Sequence, residues 1–212
     1  EIEAEEMADR TYDALLSRSE IGEYEAKSLR HDPAITSLKQ VARGLKALVK
    51  LAERGVIDKP AFHFDVGGGA YDLGIEYLAE HGIECILWDP EARPPGYNTA
   101  SLERLKQVGG ADTASLNNVL NILPEKEDRL DAIRFMYQNL KQGGTGIITV
   151  YEGKRTGKME KVIRGDRYNY QLNRKLDDYL PEIEEALSGN IAEIQKKYGA
   201  IIITKKKPLS FV

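Results

Sequence analysis

The chain has 212 residues, 42% of them hydrophobic and 30% charged, with a formal net charge of −4. This is the composition of a globular protein of one domain, or one domain with an appendage, and it supplies no global attraction to nucleic acid. The single cysteine, Cys85, excludes an intrachain disulfide and a cysteine-built metal site, and three scattered histidines lack ligand spacing, so no metal is expected. No apolar run approaches the roughly 18 residues that cross a bilayer, and no signal peptide is visible. A cytoplasmic setting without membrane contact is the expectation. The chain begins at Glu1, which leaves the native N-terminus and the oligomeric state open.

Residues 2–18 have the spacing of an acidic amphipathic helix, with Ala8, Tyr12, Leu15 and Leu16 on one stripe and Gly22 beyond its end. Asp32-Pro33 reads as the capped start of a second helix. Its stripe is Ile35, Leu38, Val41, Ala42, Leu45, Leu48, Val49 and Ala52, and it stops at Arg54-Gly55. Residues 1–57 are therefore read as an N-terminal helical extension, and 58–212 as the ligand-binding domain. In that domain strands at 61–66, 84–88, 113–116 and 146–151 alternate with helices at 72–81, 101–108 and 125–140, and a turn occupies 119–123. Residues 172–198 read as a helix broken near Pro181 and Gly189. The tail reads as two short strands, 200–204 and 209–212, joined at Lys205-Lys206-Lys207-Pro208. The alternation predicts an α/β fold: a doubly wound, mostly parallel, Rossmann-like sheet with right-handed crossovers, N-terminal helices and a C-terminal antiparallel hairpin.

Asp65-Val66-Gly67-Gly68-Gly69-Ala70-Tyr71-Asp72 lies where the first of these strands turns into its helix. An acid, Asp89 in Trp88-Asp89-Pro90, follows at the end of the next strand. In open α/β sheets this pairing binds a nucleoside: backbone wraps one end and the carboxylate takes the ribose hydroxyls. A dinucleotide fingerprint needs a further glycine where Asp72 stands, so a pyrophosphate, and with it a nicotinamide dehydrogenase, is poorly supported. Asp65 instead suits a cationic or amine-bearing ligand. S-adenosylmethionine has an amino group, a sulfonium and a ribose, and carries no phosphate.

Joined by Leu140-Lys141-Gln142-Gly143-Gly144 before a β-run, these motifs resemble the class I S-adenosylmethionine-dependent methyltransferases. Over about residues 30–125 the chain is also similar to methyltransferases associated with DNA phosphorothioation systems. That likeness rests on Arg30-His31-x-x-Ala34-Ile35, Trp88-Asp89-Pro90-x-x-Arg93-Pro94, and Ala111-Asp112 followed by Val119-Leu120-Asn121-Ile122. The resemblance implies S-adenosylmethionine as cofactor and methyl transfer as the reaction. Three departures qualify it. Tyr71 stands where the family often has another glycine. Asn117-Asn118-Val119-Leu120 replaces the Asp/Asn-Pro-Pro-Tyr/Phe tetrad of amino-methylating nucleic-acid enzymes. Cys85 sits inside a strand, so no nucleophile exists for C5-methylation of a pyrimidine. Class I folds also transfer the aminocarboxypropyl group, and a degenerate fold can bind nucleic acid without turnover; both readings stay open.

The cofactor-binding candidates are Asp65, Gly67, Gly68, Gly69, Tyr71, Trp88, Asp89 and Asn117. Each has a plainer alternative: Asp65 as a helix cap, Asp89 in an Asx turn before Pro90, Trp88 in the core. Asp112 reads either as a polar group near the cofactor edge or as a solvated strand start. Asn118, Asn121 and His31 are candidates for catalysis, while His63, His81 and Tyr179 read as structural. Residues 154–175 carry Lys154, Arg155, Lys158, Lys161, Arg164, Arg167, Arg174 and Lys175 against Glu160 and Asp166. Tyr168 and Tyr170 interleave with the cations, the pattern of a nucleic-acid or phosphorylated substrate, or of a solvated loop. On the first reading Arg155, Arg164, Arg167, Tyr168, Tyr170, Asn173 and Arg174 bind the acceptor, a DNA, RNA or nucleotide methylated on oxygen or nitrogen, and Gln171 assists them.

Overall fold

A computed structural model of the chain describes residues 29–34, 39–190 and 192–206. The helix expected at 2–18, the stripe positions at 35 and 38, and the strand expected at 209–212 lie outside these residues.

The described chain runs β1 (Arg30–His31), α1 (Arg43–Glu53), β2 (Phe62–Val66), α2 (Leu73–Glu80), β3 (Glu84–Trp88), α3 (Pro95–Gln107) and β4 (Ala111–Asn117). It continues through a 3-10 turn (Leu120–Ile122), α4 (Lys126–Gln138), β5 (Leu140–Thr149), β6 (Met159–Arg164) and β7 (Arg167–Leu172). A second 3-10 turn (Leu176–Tyr179), α5 (Leu180–Ala186), β8 (Ala192–Lys197) and β9 (Ala200–Lys205) complete it. The main sheet has the order β3-β2-β4-β5-β9-β8. Its first four strands are parallel, and β9 and β8 add antiparallel. Connections step from β2 out to β3 and then back across to β4, so the order reverses beside β2, which is where open sheets bind ligands.

Two apolar layers sandwich the sheet because side chains alternate across it. Ile147 joins α1 residues Leu45, Leu48 and Leu51 on one face, while Ile148 joins Leu130, Ile133 and Met136 of α4 on the other. The run Ala200-Ile201-Ile202-Ile203 in β9 divides the same way. Such strands must be apolar on both sides. Helix α1 approaches β4 closely at Gly44, where a Cβ would overlap the Asn117 amide.

Several elements differ from the sequence reading. Helix α1 begins at Arg43, and Arg30–His31 is a short strand parallel to β7. Asp32 turns the chain there, accepting a hydrogen bond from the Ala34 N–H. Helix α3 starts at Pro95, which is preset for a first helical turn. Residues 192–197 form a strand where a helix is expected, so the terminal hairpin joins β8 to β9 through Tyr198-Gly199. The 154–175 segment is a hairpin, β6–β7, turned at Gly165-Asp166.

That hairpin is anchored by a buried ion cluster. Arg129 on α4 forks onto Glu182 of α5 at 2.8 and 2.9 Å, and Arg174, just past β7, reaches the same carboxylate at 2.9 Å. Burial alone would raise the Glu182 carboxyl, but the two guanidiniums hold it below the ordinary carboxylate range. Removing one partner strands a buried charge. Glu182→Ala is therefore expected to cost about 3–5 kcal/mol in urea unfolding, whereas Glu185→Ala, which removes a surface pair with Lys126, is expected to cost about 1 kcal/mol or less.

Candidate functional site

Parallel register brings Asp65, Trp88 and Asn117 to the carboxyl ends of adjacent strands. Asp65 stands opposite Leu87 and Ser115, and Val66 opposite Trp88 and Leu116. Above them opens a cavity of about 500 Å³. Val66, Gly67, Trp88, Asp89, Pro90 and Glu91 form its floor and one wall. Val119, Ile122, Leu123 and Pro124 close a second side. Asp128, Asp131, Ala132 and Phe135 of α4 form a third, and His31 and Pro33 complete it.

The glycine turn is shaped by contact. Gly67 has φ +71°, and a Cβ there would overlap the Val119 side chain. A Cβ on Gly68 would strike Leu87 and the Asp65 Oδ2, so that carboxylate oxygen lies directly under the turn. The Gly69 N–H donates to Asp89 Oδ2 at 2.9 Å, and Arg93 Nε donates to the Gly69 carbonyl at 2.8 Å. Asp89 Oδ1 also accepts the Glu91 and Ala92 N–H groups at 3.0 and 2.9 Å. The Asx turn is thus present, and with three donors orienting the carboxylate about one of its four acceptor positions is left open.

Asp65 is 4% exposed. Its Oδ1 accepts from Ser115 Oγ at 2.7 Å and from Asn117 Nδ2 at 3.3 Å. Burial pushes its carboxyl up to about 6; the two hydrogen bonds oppose this, and the Asp89 charge adds to it. Asn117 is held in turn by Thr149, whose hydroxyl donates to Asn117 Oδ1 at 2.8 Å. Trp88 packs against Phe135 in a tilted arrangement, with ring centroids 4.7 Å apart, and also lines the cavity.

The remaining candidates separate. His31 is brought to the cavity, and its ring packs on Tyr168 and Tyr170 at 5.2 and 5.5 Å. Tyr71 is 44% exposed, outside the cavity lining, with Lys39 over its ring. Asn118 is exposed in a left-handed backbone conformation. Asn121 is buried and donates to Gln171 Oε1 at 3.0 Å. Asn173 is also buried, accepting the Lys154 N–H and donating to the Lys158 carbonyl. Asp112 sits at the opposite sheet edge, where it accepts the Ala61 and Phe62 N–H groups and pairs with Lys141. His63 and His81 are held by internal hydrogen bonds, and Tyr179 is fully buried.

Half of the cations in the basic segment are paired with acids, while Lys158 and Lys175 are exposed. Lys154 pairs with Glu160, Arg155 with Glu152, Arg167 with Asp32 and Arg174 with Glu182. Lys161 lies over the Tyr168 ring, and Arg164 on β6 is half-buried. None of these cations lines the cavity, whose charged walls are Asp89, Glu91, Asp128 and Asp131. Sequence reasoning missed the α4 wall, although Asp128, Asp131, Ala132 and Phe135 are spaced as one helical face. Among the described residues no group of three or more His, Cys, Asp or Glu is placed to hold a metal ion, and no helix is long and apolar enough to cross a membrane.

No protein-family model and no curated protein matches the chain. Solved structures do. The sugar N-methyltransferase KedS8 from Streptoalloteichus sp. is 15% identical, with a TM-score of 0.55 over 80% of this chain and 89% of its own. CalS10, an amino pentose methyltransferase from Micromonospora echinaspora, is 14% identical, with a TM-score of 0.49 over 76% of this chain and 91% of its own. An S-adenosylmethionine-dependent methyltransferase from Clostridium acetobutylicum is 11% identical, with a TM-score of 0.49 over 78% and 92%. The likeness is one of fold: the chain has the class I methyltransferase architecture. The narrower similarity to phosphorothioation-associated enzymes finds no support in these comparisons.

The raised Asp65 carboxyl has a stability consequence. Well below pH 4 the group is neutral in folded and unfolded chains alike. As pH rises through about 6, the fold must hold a buried charge that the unfolded chain carries in water, and stability is lost. Asp65→Asn keeps the acceptor oxygen for Ser115 and removes that charge. The variant is expected to gain on the order of 3 kcal/mol at pH 8 in ligand-free urea unfolding, and the gain is expected to vanish near pH 4.

Proposed function

We propose that the protein is an S-adenosylmethionine-dependent methyltransferase whose acceptor is a small amine-bearing molecule. The observation that carries this reading is an acidic cavity at the sheet's switch point, lined by Gly67 and by Asp89 just past β3, with a second carboxylate, Asp65, buried beneath the glycine turn. The residues suit this cofactor. The cavity volume falls within the range of small-molecule sites. Asp89 takes a ribose hydroxyl, Asp65 the methionine ammonium, and Trp88 with Phe135 offers an aromatic wall for adenine. Among the described residues no lysine or arginine lines the cavity to hold a pyrophosphate. When bound, S-adenosylmethionine supplies a methyl carbon already activated by its sulfonium.

The chain's own task is then to bind, orient and deprotonate the acceptor. Glu91, Asp128 and Asp131 favour a cationic amine over a phosphodiester, because each phosphate would meet like charge. His31 stands at the cavity rim, braced by Tyr168 and Tyr170, and accepts the proton that the amine must lose. A sugar N-methyltransferase has the same fold, and nitrogen is the acceptor atom these carboxylates suit. Transfer of the aminocarboxypropyl group and a nucleic-acid acceptor bound through residues 154–175 are the competing readings.

Calorimetry with S-adenosylmethionine tests the cofactor: wild type is expected to bind, and Asp89→Ala to bind about 100-fold more weakly through loss of charge-assisted hydrogen bonds. Equal binding by both would reject the pocket. With amine acceptors the expected product is S-adenosylhomocysteine. Methylthioadenosine would instead mark aminocarboxypropyl transfer, and salt-sensitive DNA or RNA binding with nucleic-acid methylation would reject the small-molecule acceptor. His31→Gln is expected to lower kcat by about 10²–10⁴ while leaving cofactor affinity within about twofold.

A further inference from the structure

A hydrogen-bonded chain of side chains runs through the sheet to Asp65. Thr113 Oγ1 lies 2.8 Å from His63 Nδ1, His63 Nε2 lies 2.8 Å from Ser115 Oγ, and Ser115 Oγ donates to Asp65 Oδ1 at 2.7 Å. His63 and Ser115 are fully buried and Thr113 is 2% exposed. The proton order follows from the two ends. An ionised Asp65 only accepts, so Ser115 spends its one proton there and must accept from His63 Nε2–H. Nδ1 is then bare and accepts from the Thr113 hydroxyl. Burial pushes the His63 imidazole down to about 3, which keeps the ring neutral. Every donor in the chain points toward Asp65.

We infer that His63 and Ser115 are positioning residues that hold the Asp65 carboxylate as an acceptor, one oxygen tied to the chain and the other presented under Gly68 to the cationic end of the ligand. The inference rests on the cofactor reading given above. The groups around Asp65 are few. Its own strand supplies His63. Strand β4 supplies Ser115 and Asn117. Strand β3 supplies the Cys85 thiol and, just past its end, Asp89, the neighbouring charge. Helices α1 and α2 contribute Leu45, Leu48 and Leu78 to the apolar layer on this face. No cation acts on Asp65 from these elements, so the Ser115 hydroxyl, itself held by His63, and the Asn117 amide are what offset burial and the repulsion from Asp89.

Calorimetric titration with S-adenosylmethionine from pH 5 to 8 tests this. Wild-type affinity is expected to fall as pH drops through about 6. Ser115→Ala is expected to bind about tenfold more weakly at pH 7 and to move the midpoint upward by about one pH unit. His63→Leu is expected to behave alike, while His63→Gln, which retains an N–H at the Nε2 position, restores most of the wild-type profile. Long-range ¹H–¹⁵N spectra of ligand-free wild type are expected to show His63 protonated on Nε2 alone. An Nδ1–H tautomer, or unchanged affinity and midpoint in both Ser115→Ala and His63→Leu, overturns the inference. If wild type fails to bind at every pH, the cofactor reading falls instead. Carboxyl ¹³C titration of Asp65 in free wild type and Ser115→Ala then decides the positioning role, and coincident midpoints overturn it.

Discussion

A carboxylate buried at the ends of parallel strands governs this molecule. Asp65 is buried, with another carboxylate nearby and, among the described residues, no cation acting on it. Such a group persists only where neighbouring donors are fixed. The sheet register fixes them: Ser115 lies opposite Asp65 on β4, and Asn117 two residues further on the same face. Gly44 lets α1 close over Asn117, and Thr149 on β5 holds its amide. Four elements thus converge to keep one charge in place. A protein selected for stability alone would not retain it; under the proposed function it is kept for the ligand.

The cavity divides its labour between two sheets. The large sheet contributes rigid strand ends and the glycine turn, which the proposed function assigns to the cofactor. The small sheet, β1-β7-β6, carries His31 to the rim, with Tyr168 and Tyr170 packed against its ring. Its attachment combines apolar packing of Leu172 and Met159 in the main core with polar bonds, Arg174 on Glu182 and Asn121 on Gln171. Helix α4 links the halves, since Phe135 meets Trp88 while Arg129 of the same helix holds Glu182.

Much of this was legible in the residues. The apolar run Glu84–Trp88 has the same bounds in sequence and structure because nothing but a doubly covered strand suits it. The glycine turn and Asp89 carry their geometry in their spacing. The small sheet was hidden for physical reasons. Arg30–His31 is two residues long, too short for any periodicity, and its partner lies 137 residues away. The β6–β7 hairpin announces itself only through Gly165-Asp166, and a run of cations masks that turn. Strand β8 reads as helix because Glu193, Gln195, Lys196 and Lys197 are helix formers. Those residues stand at the end of the sheet order, where charge guards an edge strand against pairing with other chains. Pairing in space neutralised Arg155, Arg167 and Arg174, which composition alone counted as available.

The parallel pairing of Arg30–His31 with Arg167–Tyr168 has an evolutionary consequence. Under the proposed function the chemistry at the cavity rim is encoded in two stretches far apart in the gene, coupled through this pairing. Diversification toward new acceptors would therefore leave a paired signature, with changes near position 31 tracking changes near positions 168 and 170, while the strand ends beneath stay constant.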